Sequence, residues 1–223
     1  MPIITDDGFK IDFDYYPALN PGSPAAILLP DTRCDRSSFG TFPGRLNEIG
    51  FNVLAMDFRY KDIIAKSENM GQQIHAIKEQ DLNSLVDYDV KGAIEFLSGQ
   101  INTDAKRICV VGASLGSRVA LSSAVRYGLE AMVLISLSGQ EVFPGGVAVR
   151  TLLSEFGDKP ALFITTENDW GNYNMAPADN RMYMNWVKGR GELKIWPGSE
   201  HGMEILERSE ASQFILSWLK KNV

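Results

Sequence analysis

Ser114 sits at the centre of Gly112-Ala-Ser-Leu-Gly116, and two side chains that could complete its chemistry follow it along the chain. Asp169 lies in Thr166-Glu-Asn-Asp169-Trp170, and His201 in Pro197-Gly-Ser-Glu-His201-Gly202. A serine hydroxyl is a weak nucleophile until a base takes its proton. Imidazole suits that task near neutral pH, and a carboxylate can orient the ring and stabilise its cation. The three types together suit attack on an acyl carbon with a covalent intermediate on the serine. The chain holds 2 histidines. His75 precedes Ser114 in a polar segment with no strand behind it, so His201 is the candidate base. Asp169 is the preferred acid because its separation from the preceding apolar run leaves room for a turn. Glu167, Asp158 and Asp179 compete with it.

These residues need elements that aim them. Ile108 to Val111 is a short apolar, β-branched run of the kind found in a strand buried on both faces. After the pentapeptide, Leu115, Val119, Ala120 and Ala124 recur at helical spacing. Strand, G-x-S-x-G and helix in succession define a nucleophile elbow, a sharp turn that holds the serine in a strained conformation with its side chain outward. Neighbouring backbone must pass close by, and Gly112, Ala113 and Gly116 are small. Ala161 to Thr165 and Glu192 to Trp196 read as strands that end just before Asp169 and His201. The order Ser, Asp, His, each member at a strand's C-terminal end, differs from the orders found in other serine hydrolase folds.

The remaining strands are Phe9 to Tyr16 (hairpin or edge), Ala25 to Leu29, Asn52 to Met56 and Met132 to Leu137. Helices are expected at Arg45 to Ile49, Leu82 to Leu97, Val147 to Phe156, Pro177 to Lys188 and Ile205 to Leu219. Lys61 to Gln80 reads as polar surface loop with some helix. This alternation predicts an α/β protein, a three-layer α/β/α sandwich with a mostly parallel, doubly wound sheet. One domain over residues 1–223 is the expectation. Between Met132–Leu137 and the next strand there is room for one helix and a loop, so no large cap domain is expected.

A net charge of -6, from 22 basic and 28 acidic residues, carries no footprint for nucleic acid. No apolar run is long enough to span a membrane. The N-terminus has no basic region followed by an apolar one, which makes the cytoplasm the default location; a chain that had already lost a leader would read the same. Cys34 and Cys109 should lie at opposite edges of the sheet, too far apart for a disulfide, and no histidine spacing supports a metal site.

The chain resembles small α/β-hydrolase-fold proteins, of the kind that includes esterases and dienelactone-hydrolase-like enzymes. The resemblance covers nearly its whole length and rests on Gly112-Ala-Ser-Leu-Gly116, the strand-end Asp169, His201-Gly202 and the run Asn52-Val-Leu-Ala-Met-Asp57-Phe-Arg59. It implies Ser114 as nucleophile, His201 as base, Asp169 as its orienting acid, and no metal or organic cofactor. The expected partner is a small-molecule ester substrate, with the chain itself a monomer or homodimer. A dienelactone hydrolase proper would carry cysteine at the nucleophile, so that particular activity is not implied. The family commonly has His-Gly after the strand equivalent to Ala25–Leu29, where this chain has Pro30-Asp31-Thr32. That loop should supply one backbone N–H of the oxyanion hole, with Thr32 the candidate and Leu115 the other donor. Asp31 is expected to turn outward or to pair with Arg33 or Arg36.

Phe39, Phe143, Trp170 and Met203 are candidates for an apolar acyl pocket, together with Phe42 and Tyr173. Arg59 and Arg118 are weaker candidates for a substrate carboxylate. The leading expectation is a carboxylic ester hydrolase. A thioesterase or acyltransferase with the same residues, and a non-catalytic binding protein of the same fold, are the alternatives.

Overall fold

A computed structural model describes residues 2–59, 79–137, 142–143, 147–170 and 176–223. His75, Tyr173 and most of the Lys61–Gln80 segment lie outside the described residues, as does the side chain of Phe143. The chain begins with two short strands, β1 (Ile3–Ile4) and β2 (Lys10–Ile11), paired with each other. Among the described residues, seven strands form the main sheet: β3 (Phe13–Tyr16), β4 (Ser23–Leu29), β5 (Asn52–Met56), β6 (Thr103–Ala113), β7 (Ala131–Ile135), β10 (Ala161–Thr166) and β11 (Gly191–Trp196). Between β7 and β10, β8 (Val142–Phe143) and β9 (Val147–Ala148) make a separate small hairpin.

The strand order is β11-β10-β7-β6-β4-β5-β3. Every pairing is parallel except β3 with β5, so β3 is an antiparallel edge strand. This is the α/β-hydrolase fold. From β4 the chain moves outward to β5, then returns to place β6 on the other side of β4. The switch point of the sheet therefore lies between the C-terminal ends of β4 and β6, where ligands gather in such folds.

Burial explains why these runs are strands. All five residues of β5, all five of β7 and all six of β10 are buried, the pattern of strands covered on both faces. Alternate residues serve opposite layers. Ile27, Leu29, Val110, Met132 and Phe163 face a layer that includes Val90, Leu97, Val119 and Leu121. Leu28, Val53, Val111, Val133 and Ile164 face the layer of Leu46, Ile215 and Leu219.

Several helices differ from the sequence expectation: the one expected at Pro177–Lys188 is Ala176–Tyr183, that at Arg45–Ile49 is Phe42–Glu48 and that at Val147–Phe156 is Val149–Glu155, and two others are divided. The C-terminal helix is two, Met203–Glu207 and Ser209–Asn222, because Arg208 between them has an extended backbone (φ -73, ψ 122), and its guanidinium donates to Pro197 O and Glu210. The helix at Leu82–Leu97 runs from Glu79–Ser84 through a π-helical segment, Leu85–Val90, into Lys91–Ser98. Cys34 and Cys109 are both free thiols, and burial pushes the Cys109 thiol up to about 12. No described helix is long and apolar enough to cross a membrane.

Candidate active site

Ser114 follows the last residue of β6 and precedes the helix Leu115–Arg126, with φ 52 and ψ -113. A non-glycine residue at positive φ is strained and persists only where its surroundings over-determine it. Here they do. The Ser114 N–H donates to Ile135 O at 2.9 Å, and Ser117 returns both its N–H and its hydroxyl to Ser114 O. The flanking glycines are required by close backbone approach. A Cβ on Gly112 would lie 2.1 Å from Gly116 O, and one on Gly116 would lie 2.3 Å from Leu29 O. The elbow thus locks the nucleophile strand against the end of β4.

Three other strand ends converge on the serine. Ser114 Oγ lies 2.8 Å from His201 Nε2, and His201 Nδ1 lies 2.5 Å from Asp169 Oδ1. Asp169 is fully buried, and its second oxygen accepts the hydroxyls of Ser136 (2.6 Å) and Thr165 (2.9 Å). Of the competing acids, Glu167 and Asp158 are exposed. The series hydroxyl, imidazole, carboxylate is hydrogen-bonded throughout and can move a proton from Ser114 to His201.

Ser136 was not singled out from the sequence. It follows β7 directly, has φ 55, and its hydroxyl also accepts the Gly202 N–H at 2.8 Å. It therefore fixes the acid and the loop that carries the base. The available signal was a polar residue just beyond the C-terminal end of a buried strand.

Asp31 overturns the sequence expectation. Its carboxyl does not turn outward and does not pair with Arg36, whose guanidinium is taken by Asp57 and Asp14. Asp31 is 8 % exposed, and its Oδ2 stands 4.0 Å from His201 Nε2. Gly202 makes room for it: a Cβ there would meet Asp31 Oδ2 at 2.5 Å and Ser114 Cβ at 3.4 Å. Burial raises the Asp31 pKa, opposed by the charge of His201, the Thr32 N–H, the charge of Arg33 and the Ser114 hydroxyl. Thr32, whose N–H was expected to serve an oxyanion, directly follows this buried carboxyl, and that N–H helps hold the Asp31 pKa down. Leu115, the other expected donor, opens the elbow helix beside Ser114.

Burial disfavours the cationic form of His201, but the hydrogen bond and charge of Asp169, with the charges of Asp31 and Glu204, outweigh it and hold the imidazole above its ordinary pKa. Glu204 accepts the His201 N–H at 3.0 Å and the Trp170 indole N–H at 2.9 Å. The Trp170 ring lies 4.8 Å from the His201 ring, carries the Arg33 guanidinium at 4.9 Å, and is 40 % exposed. Of the apolar pocket candidates among the described residues, Trp170 is at the site surface. Phe39 and Met203 are buried in the layer with Phe42 and Leu46. Arg59 is not available to a substrate: it is held by Asp89 and Asp7. Arg118 is half-buried on the elbow helix, and desolvation lowers its pKa. Among the described residues no group of three or more His, Cys, Asp or Glu is arranged to hold a metal ion.

Fold and site together define a protein of the α/β-hydrolase fold. The model of the dienelactone hydrolase family matches residues 14–213, and the chain belongs to that family. Two Mycobacterium tuberculosis proteins, from strains CDC 1551 and H37Rv, are each 34% identical over 133 residues, which is 59% of this chain and 43% of theirs. The chain thus matches less than half the length of these curated relatives. Solved structures show the same fold. The dienelactone hydrolase of Anabaena variabilis superposes with a TM-score of 0.69 at 15% identity, covering 100% of this chain and 94% of that one. The ferulic-acid-bound Est1E of Butyrivibrio proteoclasticus gives 0.68 at 17% identity, covering 99% and 96%. The esterase EaEST of Exiguobacterium antarcticum gives 0.68 at 15% identity, covering 99% of each.

Proposed function

We propose that this protein is a serine esterase that cleaves small to medium carboxylic esters through an acyl-enzyme on Ser114. The observation that carries the reading is the unbroken hydrogen-bonded path from Ser114 Oγ through both nitrogens of His201 to Asp169. His201 Nε2 takes the hydroxyl proton as Oγ attacks the acyl carbon. Asp169 fixes the Nδ1–H tautomer and stabilises the imidazolium. The tetrahedral intermediate collapses, His201 returns the proton to the departing alcohol, and a water activated by the same nitrogen releases the acid. Leu115 N–H, at the positive end of the elbow helix, and Thr32 N–H hold the oxyanion; one such donor is typically worth ~10²–10³ in rate.

The same acyl chemistry serves a thioester or an acceptor other than water. A non-catalytic binding role has one specific observation in its favour, the Asp31 carboxyl lying against Ser114. Labelling with a fluorophosphonate separates the two. The esterase reading predicts stoichiometric modification of Ser114 that Ser114→Ala abolishes. A folded protein that leaves the probe unreacted overturns it.

A further inference from the structure

Three carboxylates surround the base and nucleophile, Asp169, Glu204 and Asp31, against one nearby guanidinium, that of Arg33. Two of the three are satisfied. Asp169 receives His201, Ser136 and Thr165, and Glu204 receives the His201 N–H and the Trp170 indole. Asp31 differs. Among the described residues its ion-pair partner is His201, at 4.0 Å. The role proposed for His201 requires a neutral ring when Ser114 attacks. Among the described residues no other ion pair then holds the Asp31 carboxyl, which lies beside His201 and Ser114, and an oxyanion forming on the acyl group of Ser114 adds a second like charge. Both a buried carboxylate that lacks a cation in direct contact and two close anions are unfavourable. A positive charge on the substrate removes both penalties, and the second only in the transition state, where it accelerates the reaction.

The sheet supports this placement. Asp31 follows β4 and Ser114 follows β6, so the carboxyl and the nucleophile flank the switch point, and Gly202 leaves the space the carboxyl fills.

We propose that Asp31 is a specificity-determining residue that selects acyl esters carrying an ammonium group close to the acyl carbon. The inference rests on the serine esterase reading and deepens it. Neutral isosteres leave Asp31 unmatched and react more slowly, and acyl groups bearing a carboxylate are slowest.

The test compares ethyl alaninate, ethyl propionate and monoethyl malonate at pH 7 by pH-stat, with wild type and Asp31→Asn. An α-amino group of pKa about 7.7–8.0 is mostly cationic there. Because an ammonium also activates the ester intrinsically, the readout is the change in the alanine-to-propionate ratio of kcat/KM between the two proteins. The ratio is expected to fall on the order of tenfold in Asp31→Asn, the scale of one partly buried charge pair. An unchanged ratio, with both proteins hydrolysing ethyl propionate, overturns the inference and leaves the esterase reading intact. Failure of wild type to hydrolyse any ester or to react with a fluorophosphonate would instead remove the reading beneath it. If Asp31→Asn does not fold, inhibition of wild type decides: alaninamide should inhibit more strongly than propionamide, and equal inhibition overturns the proposal.

Discussion

The hydroxyl of Ser136 donates to Oδ2 of Asp169 at 2.6 Å, tying the end of β7 to the acid that orients His201. A hydrogen bond to a charged group contributes about 1.5–3 kcal/mol. Ser136→Ala is therefore expected to lower kcat by roughly tenfold, each ~1.4 kcal/mol of barrier being a factor of ten, with KM for a neutral ester little changed. Steady-state kinetics checks this, and a change confined to KM would contradict it.

The pH profile follows from the charges around His201. Its pKa lies above the ordinary value because the hydrogen bond and charge of Asp169, then the charges of Asp31 and Glu204, overcome burial. A general base works only when neutral, so activity rises with pH through that raised pKa, and the acidic limb lies above about 6.5. Asp31→Asn removes one negative charge, the imidazolium loses support, and the limb moves to lower pH. The displacement of the limb, read from kcat/KM against pH, checks this, and a limb that stays in place contradicts it.

Arg59 is predicted to matter for stability. Its guanidinium side chain is 2 % exposed and contacts Asp89, which is fully buried, as well as Asp7. Arg59→Met leaves the Asp89 carboxylate buried without its cation, a change that costs about 3–5 kcal/mol. Thermal denaturation should show a large fall in Tm, while the protein that stays folded keeps its kcat on a neutral ester.

Gly202→Ala should act on the site rather than the core. Gly202 has φ 55, which disfavours any L side chain, and the added Cβ would meet Asp31 Oδ2 at 2.5 Å. Displacing Asp31 should move the acidic limb of the pH profile in the same direction as Asp31→Asn. A profile identical to wild type would contradict the placement of the Asp31 carboxyl.

What the sequence made legible was local. The strands Asn52–Met56 and Ala161–Thr166 are runs of residues buried on both faces, and such runs announce themselves without any partner in view. Ser114, Asp169 and His201 could be picked out because each stands just past a strand and the fold brings those ends together. Asp31 could not be oriented in this way. Its direction depends on a missing Cβ 171 positions away, at Gly202, and on a base, His201, supplied by another strand. Arg59 was misread for a similar reason: its partner Asp89 lies 30 residues on, across a helix whose register the sequence pattern does not fix. The break at Arg208 escaped notice because one extended residue barely disturbs a 3.6-residue period.

The central claim is that Ser114 is an acylated nucleophile, and the most direct measurement is hydrolysis of p-nitrophenyl acetate, butyrate and octanoate by wild type and Ser114→Ala prepared in parallel. The account predicts turnover by wild type, strongest on the shorter chains, and a loss of at least ~10⁴-fold in Ser114→Ala with the fold retained. Activity that survives in Ser114→Ala, or a folded wild type inert toward all three esters, would contradict it.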